Sequence, residues 1–367
     1  MKKLSVLSLV LVLSLLLGTV AWAADDILTA ANDYFSGGTK NITASDLFDN
    51  LNDGDDANNP YVISVRSQED YDKGHIPGAV HGDYKTMFTA ENLATLPADQ
   101  QIVVYCYTGQ TSSQVVSALN MLGYDAYSML FGFCAWNSDP NAGGKCFDEA
   151  AMGSDYPTTT DPTAVTMIAY PPATPLADST QAAANAYFGN GTKNITSSDL
   201  FDNLNDGDSS NDPWIISVRS AEDYEKGHLP GAVWEDSTTM FGQDGLISVP
   251  PDKPIVVYCY TGQTGSQVTS ALNLLGYDAS NLLFGMEGWT MDNDVRAKYF
   301  EPETHLSEYP YEGTAAEGAV EETSTESAQP ETVPETGGAA LPVEGVLLGF
   351  GTLTAAAGLY LRRRKVA

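Results

Sequence analysis

Two α/β domains in tandem, each a parallel sheet flanked by helices on both faces, are what this sequence predicts. Three observations carry the reading. Residues 30–157 match residues 183–310 without a gap, at a constant offset of 153, and a repeat of about 130 residues is the size of a whole domain. Each copy holds short, continuous apolar runs, as strands buried on both faces do. Amphipathic stretches separate those runs, and strand–helix alternation is what a parallel sheet requires.

In the first copy, Thr43 with Asp46 three positions later forms a variant capping box, opening a helix through Leu47, Phe48 and Leu51. The triplets Asn41-Ile42-Thr43 and Asn194-Ile195-Thr196 also match the N-glycosylation sequon, but the cap accounts for the Thr. The acidic turns Asn52 to Asp56 and Asn205 to Asp208 lack the spaced ligands and distal Glu of a calcium loop, so they read as solvated connections. Tyr61 to Val65 is a strand, Ser67 to Tyr71 a short helix and Gly74 to Gly78 a turn. In that turn His75, like His228 in the second copy, reads as fixing the turn by a hydrogen bond rather than as a catalyst. Ile102 to Tyr105 is a buried strand. Ser112 to Leu122 is a helix with Val115, Leu119 and Leu122 on one face, and Tyr127 to Leu130 is the next strand. Trp136 and Trp289 are core candidates.

Composition bounds the function. The net charge of -31 and the pI near 4.1 exclude a nucleic-acid partner. Four His and four Cys, none at metal-ligand spacing, predict no metal site and no cofactor. Lys2 and Lys3, the apolar run Leu4 to Val20 and the small-x-small triplet Ala21-Trp22-Ala23 predict a signal peptide over 1–23. The first domain then spans 27–157, a Pro/Thr/Ala-rich linker 158–180 and the second domain 181–311. Residues 312–340 are an acidic stalk that buries too little apolar area to fold. Residues 341–367 combine Leu341-Pro342, an apolar run and the basic cluster Arg362 to Lys365, which stays on the cytoplasmic side. This layout resembles a cell-wall sorting signal, with Glu344 where that pattern has Thr; a plain transmembrane anchor is the alternative. Both predict a protein body held outside the cytoplasm by its membrane or cell wall.

The strongest pointer to chemistry is a hexapeptide present twice: Cys106-Tyr107-Thr108-Gly109-Gln110-Thr111 and Cys259-Tyr260-Thr261-Gly262-Gln263-Thr264. Each copy follows Ile-Val-Val-Tyr and precedes an amphipathic stretch, so a thiol sits twice at a strand–helix junction. Backbone N–H groups and the helix dipole there favour a thiolate. Gly109 and Gly262 permit the tight turn of a loop whose N–H groups wrap one sulfur atom. A thiolate so held attacks a sulfane sulfur, becomes a persulfide and passes the outer sulfur to a second nucleophile.

The combined pattern resembles the rhodanese, or sulfurtransferase, family. The matching residues are Val62 to Arg66, Gly74 to Ala79, Val103 to Ser112, Leu122 to Tyr124 and the Gly132-to-Trp136 close. The second copy matches with Ile215 to Arg219, Gly227 to Ala232, Val256 to Ser266 and Gly285 to Trp289. The resemblance implies Cys106 and Cys259 as catalytic residues, the following five residues of each loop as substrate-binding, and a small-molecule sulfur donor with a thiol, cyanide or sulfite acceptor. Ser64 and Ser217 stand where the family often has Asp, and Thr111 and Thr264 where it often has Arg. Tyr107 and Thr108 are neutral where thiosulfate-preferring members are basic.

Arg66 and Arg219 end their strands, either as auxiliary charges near the loop or in ion pairs with acids such as Glu69 and Glu222. Cys134 and Cys146 are both replaced in the second copy, by Glu287 and Tyr299. Their joint presence suggests a disulfide in an oxidising compartment, with two free buried thiols as the alternative. Two functions fit the chain: an extracytoplasmic sulfurtransferase, or a non-catalytic surface-displayed binding module. A phosphatase is excluded, because Ser112 and Gly265 occupy the sixth position after each Cys, where such an enzyme needs Arg.

Overall fold

A computed structural model describes residues 26–163, 168–242 and 244–315. The segments expected to be a signal peptide and a C-terminal anchor or sorting signal, and most of the expected stalk, lie outside the described residues. Among the described residues no helix is long and apolar enough to cross a membrane.

The first copy runs α1 (26–35), β1 (Asn41–Ile42), α2 (Ala44–Leu51), β2 (Tyr61–Ser64), α3 (Gln68–Lys73), β3 (Val80–His81), α4 (Ala90–Leu93), β4 (Ile102–Tyr105), α5 (Gln110–Met121), β5 (Ala126–Met129) and α6 (Gly132–Trp136). A 3-10 turn at Pro140–Ala142 and α7 (Glu149–Met152) follow. The second copy repeats the order: α8 (Thr180–Gly189), β6 (Asn194–Ile195), α9 (Ser197–Leu204), β7 (Trp214–Ser217), α10 (Ala221–Lys226), β8 (Val233–Trp234), β9 (Ile255–Tyr258), α11 (Gln263–Leu274), β10 (Ala279–Leu282) and α12 (Gly285–Trp289). It closes with α13 (Asn293–Arg296) and α14 (Pro302–His305). Each copy forms one five-stranded sheet, in the orders β1-β5-β4-β2-β3 and β6-β10-β9-β7-β8. Every pairing is parallel. The expected α/β architecture is what the chain adopts.

Local chemistry explains the elements. Thr43 caps α2 by accepting the Asp46 N–H at 3.0 Å, and Thr196 caps α9 in the same way. Ser67 and Ser220 cap α3 and α10. The central strands point alternate residues to opposite faces. Ile102, Val104 and Cys106 enter one core, while Val103 and Tyr105 enter the other. The strands β1 and β3 escape sequence reading because two residues carry no periodicity.

The two cores on the outer faces belong to one lobe each, but the inner core is common to both. In it α5 packs on α11, and apolar residues of both copies interleave. Terminal pieces also cross between the copies. From α1, Phe35 stacks on Phe241 at 4.6 Å and the Tyr34 hydroxyl bonds Gln267. From α8, Phe188 stacks on Phe88 at 4.4 Å and the Tyr187 hydroxyl donates to Gln114 at 2.6 Å. The segment after α7 docks on the second lobe: the Tyr156 N–H donates to Trp289 O, and the Trp289 indole to Pro157 O. Its counterpart after α14 docks on the first, with Tyr309 N–H to Trp136 O and the Trp136 indole to Pro310 O. Each repeat has the size of a whole domain, but the exchanged helices and tails give each lobe parts of the other copy.

Candidate active site

Both sequence-predicted thiols stand at the C-terminal end of a central strand, where β4 and β9 hand the chain to α5 and α11. Open parallel sheets place their binding sites at this end. Cys106 and Cys259 are buried. Gly109 and Gly262 adopt φ of 86° and 82°, a left-handed turn open to glycine but costly for other residues. That turn brings the Gly109 N–H to 3.2 Å from Cys106 Sγ. The Ser112 hydroxyl lies 3.6 Å from the same sulfur and bonds Ser128 Oγ at 3.0 Å. In the second lobe Gly265 and Asn281 occupy the positions of Ser112 and Ser128, so no hydroxyl stands there.

The other loop residues take several roles. The Tyr107 side chain leaves the loop: its hydroxyl donates to Asp70 Oδ2 at 2.6 Å and accepts the Ser67 N–H. Tyr260 does the same with Asp223 and Ser220. Partial burial works to raise the Asp70 carboxyl, but bonds from Tyr107, Lys145 and Lys73 outweigh it and hold it well below the usual range. The Tyr260 bond holds Asp223 down at about 2. Gln110 and Gln263 reach across to the opposite lobe. Gln110 Oε1 accepts the Phe284 N–H and Gln263 Oε1 accepts the Phe131 N–H, each at 3.1 Å. A Cβ at Gly109 would strike the Gln263 amide, and one at Gly262 the Gln110 amide. The two loops therefore face each other. Thr108 and Thr261 stand at their half-buried tips, and Thr111 and Thr264 in the first turns of α5 and α11.

Arg66 is buried and turned to the backbone. Its guanidinium donates to the carbonyls of Gly74, Ala142 at 3.1 Å and Gly143, and lies 3.9 Å from the Phe133 ring centroid. Arg219 donates to Gly227 O and to Val295 O at 2.8 Å. Glu69 and Glu222 pair with Lys73 and Lys226 instead. The two arginines tie the segment after α6 or α12 to the sheet. Arg66→Ala orphans three buried carbonyls and leaves a void beside Phe133, so it should cost about 3 kcal/mol. Chemical denaturation checks this, and sulfur uptake by the folded variant should stay near wild type. His75 Nδ1 lies 2.8 Å from Tyr71 O and His228 Nδ1 2.9 Å from Tyr224 O, which fixes both turns.

Cys134 and Cys146 are bridged, with Cα atoms 5.1 Å apart. The bridge holds Lys145 and Phe147 at the rim of the site. The Lys145 ammonium sits 4.0 Å from the Tyr107 ring centroid and 2.9 Å from Asp70, and Lys298 sits 4.6 Å from the Tyr260 ring centroid. The loops carry no cation in sequence; the fold supplies one to each. Sequence reasoning also passed over Glu287, which is buried on α12 beside the second loop, its N–H donating to Tyr260 O.

A family model described as the rhodanese-like domain matches residues 43–139 and 196–292. The chain is 35% identical over 114 residues to the probable adenylyltransferase/sulfurtransferase MoeZ of Mycobacterium tuberculosis, covering 31% of this chain and 27% of that protein. It is 32% identical over 77 residues to a tRNA sulfurtransferase of Desulfurococcus amylolyticus, covering 21% and 15%. It thus spans at most about a quarter of the length of these curated relatives. Among solved structures, a thiosulfate sulfurtransferase from Pseudomonas aeruginosa aligns over 80% of this chain and 49% of that one, at 15% identity and a TM-score of 0.27. A rhodanese-like domain protein from Staphylococcus aureus aligns over 30% and 99%, at 26% identity and 0.25. The two matched segments carry both cysteine loops and make up more than half of the sequence, and the chain belongs to the rhodanese-like domain family.

Proposed function

We propose that the protein is an extracytoplasmic sulfurtransferase that carries sulfane sulfur as a persulfide on Cys106 and Cys259. The observation that carries the reading is the Cys106 cradle: a sulfur at the mouth of a helix, with the Gly109 N–H at 3.2 Å and the Ser112 hydroxyl at 3.6 Å. Donors so placed stabilise the negative charge of a thiolate or persulfide. The thiolate attacks the outer sulfur of a donor R–S–SH. The donor's S–S bond breaks, R–S⁻ leaves and Cys–S–SH remains. An acceptor nucleophile then takes that outer sulfur and returns the Cys thiolate, giving ping-pong kinetics.

A low-molecular-weight persulfide suits the site better than thiosulfate. The chain's charge of -31 repels a dianion, and Lys145 is already paired with Asp70. The signal-like N-terminus and the Cys134–Cys146 bridge support export, and the apolar, basic-tailed C-terminus supports attachment to the membrane or cell wall. Steady-state assays with a thiol or cyanide acceptor test the activity. Parallel double-reciprocal lines and a higher kcat/KM for the persulfide donor are expected. Turnover surviving in a Cys106→Ser/Cys259→Ser variant would move the chemistry elsewhere, and a preference for thiosulfate would refute the donor class.

A further inference from the structure

Each cysteine loop is held from outside by the short helix that follows the next strand. The Cys106 and Tyr107 carbonyls accept the Phe133 and Cys134 N–H groups of α6 at 2.8 and 3.1 Å. In the second lobe the Cys259 and Tyr260 carbonyls accept the Met286 and Glu287 N–H groups of α12 at 3.0 and 2.9 Å. In a trans peptide the C=O and the following N–H point opposite ways. Carbonyls turned out to the helix therefore leave the next N–H groups turned into the loop. The approach is close: a Cβ on Gly132 or Gly285 would fall 2.6 or 2.5 Å from the Cys carbonyl oxygen.

The residue that opens each of these helices sets its approach. Phe131 and Phe284 hold φ of 59° and 61°, a left-handed conformation costly for bulky residues. What holds them there comes from the other lobe. Gln263 Oε1 accepts the Phe131 N–H, and Gln110 Oε1 accepts the Phe284 N–H. Both glutamines are almost fully buried. The Asn281 amide gives Gln110 Oε1 a second bond from the second lobe, at 3.0 Å. Each glutamine turns only its nitrogen to its own loop, Gln263 Nε2 lying 3.2 Å from Thr261 Oγ1 and Gln110 Nε2 3.5 Å from Thr108 Oγ1.

We infer that Gln263 is a positioning residue for Cys106 and Gln110 for Cys259, so that each lobe sets the sulfur cradle of the other. The inference rests on the sulfurtransferase reading and deepens it. Without the Gln263 acceptor the Phe131 N–H is left buried and unpaired, which is costly. The left-handed backbone then relaxes, and the hold of α6 on the Cys106 and Tyr107 carbonyls moves with it. Loop N–H groups stabilise charge on sulfur only while they are aimed in advance. A glutamine serving its own loop would instead affect its own thiol, so the two roles differ in which cysteine responds.

The test asks which thiol responds. The full, non-reduced chain is loaded with cysteine persulfide, and peptide-resolved mass spectrometry follows Cys106 and Cys259 in the same sample. Gln263→Met keeps the side chain's length and loses its acceptor. In it Cys106 should load about tenfold more slowly, and the loss at Cys259 should be several-fold smaller. Gln110→Met should give the reverse pattern. The loss should fall on the maximal loading rate at an unchanged half-saturating donor concentration, because the glutamine shapes the cradle without touching the donor. Unchanged loading, equal losses at both thiols, a larger loss at the variant's own thiol or a loss confined to half-saturation would each overturn the inference. Amide exchange in the wild type decides the matter even if the variants do not fold. The Phe131 and Phe284 N–H groups should be strongly protected, and free exchange at either would overturn the inference as well. Alkylation by iodoacetamide makes the same comparison without a sulfur donor. A wild type that takes up no sulfur, with variants that still slow alkylation of the opposite thiol, would overturn the sulfurtransferase reading and leave this inference standing.

Discussion

Expressed apart, residues 26–163 and 168–315 should each fail to give a cooperative thermal transition, and expressed together they should assemble into one folded species. The inner core is common to both copies, and Phe35 and Phe188, each almost fully buried, carry the stacking contacts between them. Burying a side chain of that size contributes about 1.5–3 kcal/mol. Ile27, Tyr34 and Tyr187 join the same core. Withdrawing a helix and a docked tail from a lobe removes several such terms, against a total stability of about 5–15 kcal/mol for a typical domain. The exposed faces of α5 and α11 would add aggregation to instability. Calorimetry on each half, and size-exclusion of the co-expressed pair, measures this. A sharp transition from either half alone would show that the exchanged pieces are dispensable.

Much of this molecule is legible in its sequence because the copying is legible. The constant offset pairs Cys106 with Cys259, Trp136 with Trp289 and Thr43 with Thr196; the two threonines cap their helices alike, and the two indoles donate to the offset-matched Pro310 and Pro157 carbonyls. The long apolar strands and the capped helices follow from periodicity and hydrogen-bonding chemistry. What stayed hidden depends on distance along the chain. Trp136 reads as core, but nothing local says that its indole bonds Pro310. Gln110 reads as a loop residue over its own thiol, yet its side chain serves the opposite lobe. Lys145 and Lys298 also obey the offset of 153, so the alignment held a signal for the rim cations that went unread. Glu287 was noted only as the residue standing in for a missing thiol; its burial comes from tertiary packing.

The two thiols should not react alike. Cys106 has the Ser112 hydroxyl at 3.6 Å, held by Ser128, whereas Gly265 and Asn281 stand at those places beside Cys259. A hydrogen bond to a charged group contributes about 1.5–3 kcal/mol, which corresponds to a rate advantage of about ten to a hundredfold for Cys106. The single variants separate the sites: Cys259→Ser should keep most of the fast sulfur uptake, and Cys106→Ser should lose it. Rebuilding the pair tests the cause. Gly265→Ser alone forces the Asn281 amide to shift, because the new Cβ would meet Asn281 Oδ1 at 2.8 Å. Gly265→Ser with Asn281→Ser recreates the first lobe's arrangement and should bring Cys259 up toward the rate of Cys106. Equal uptake rates in the two single variants, unmoved by the rebuilt pair, would rule the hydroxyl out as the cause.

The central claim is that sulfur travels on these two cysteines. Peptide-resolved mass spectrometry, after exposure of the non-reduced full chain to a low-molecular-weight persulfide, measures it most directly. The account predicts one added sulfur atom on Cys106 and, more slowly, on Cys259, removed by a thiol acceptor and absent from the Cys106→Ser/Cys259→Ser variant. A folded wild-type chain that gains no sulfur at either loop, or gains it elsewhere, would contradict the account and leave the display-module reading in its place.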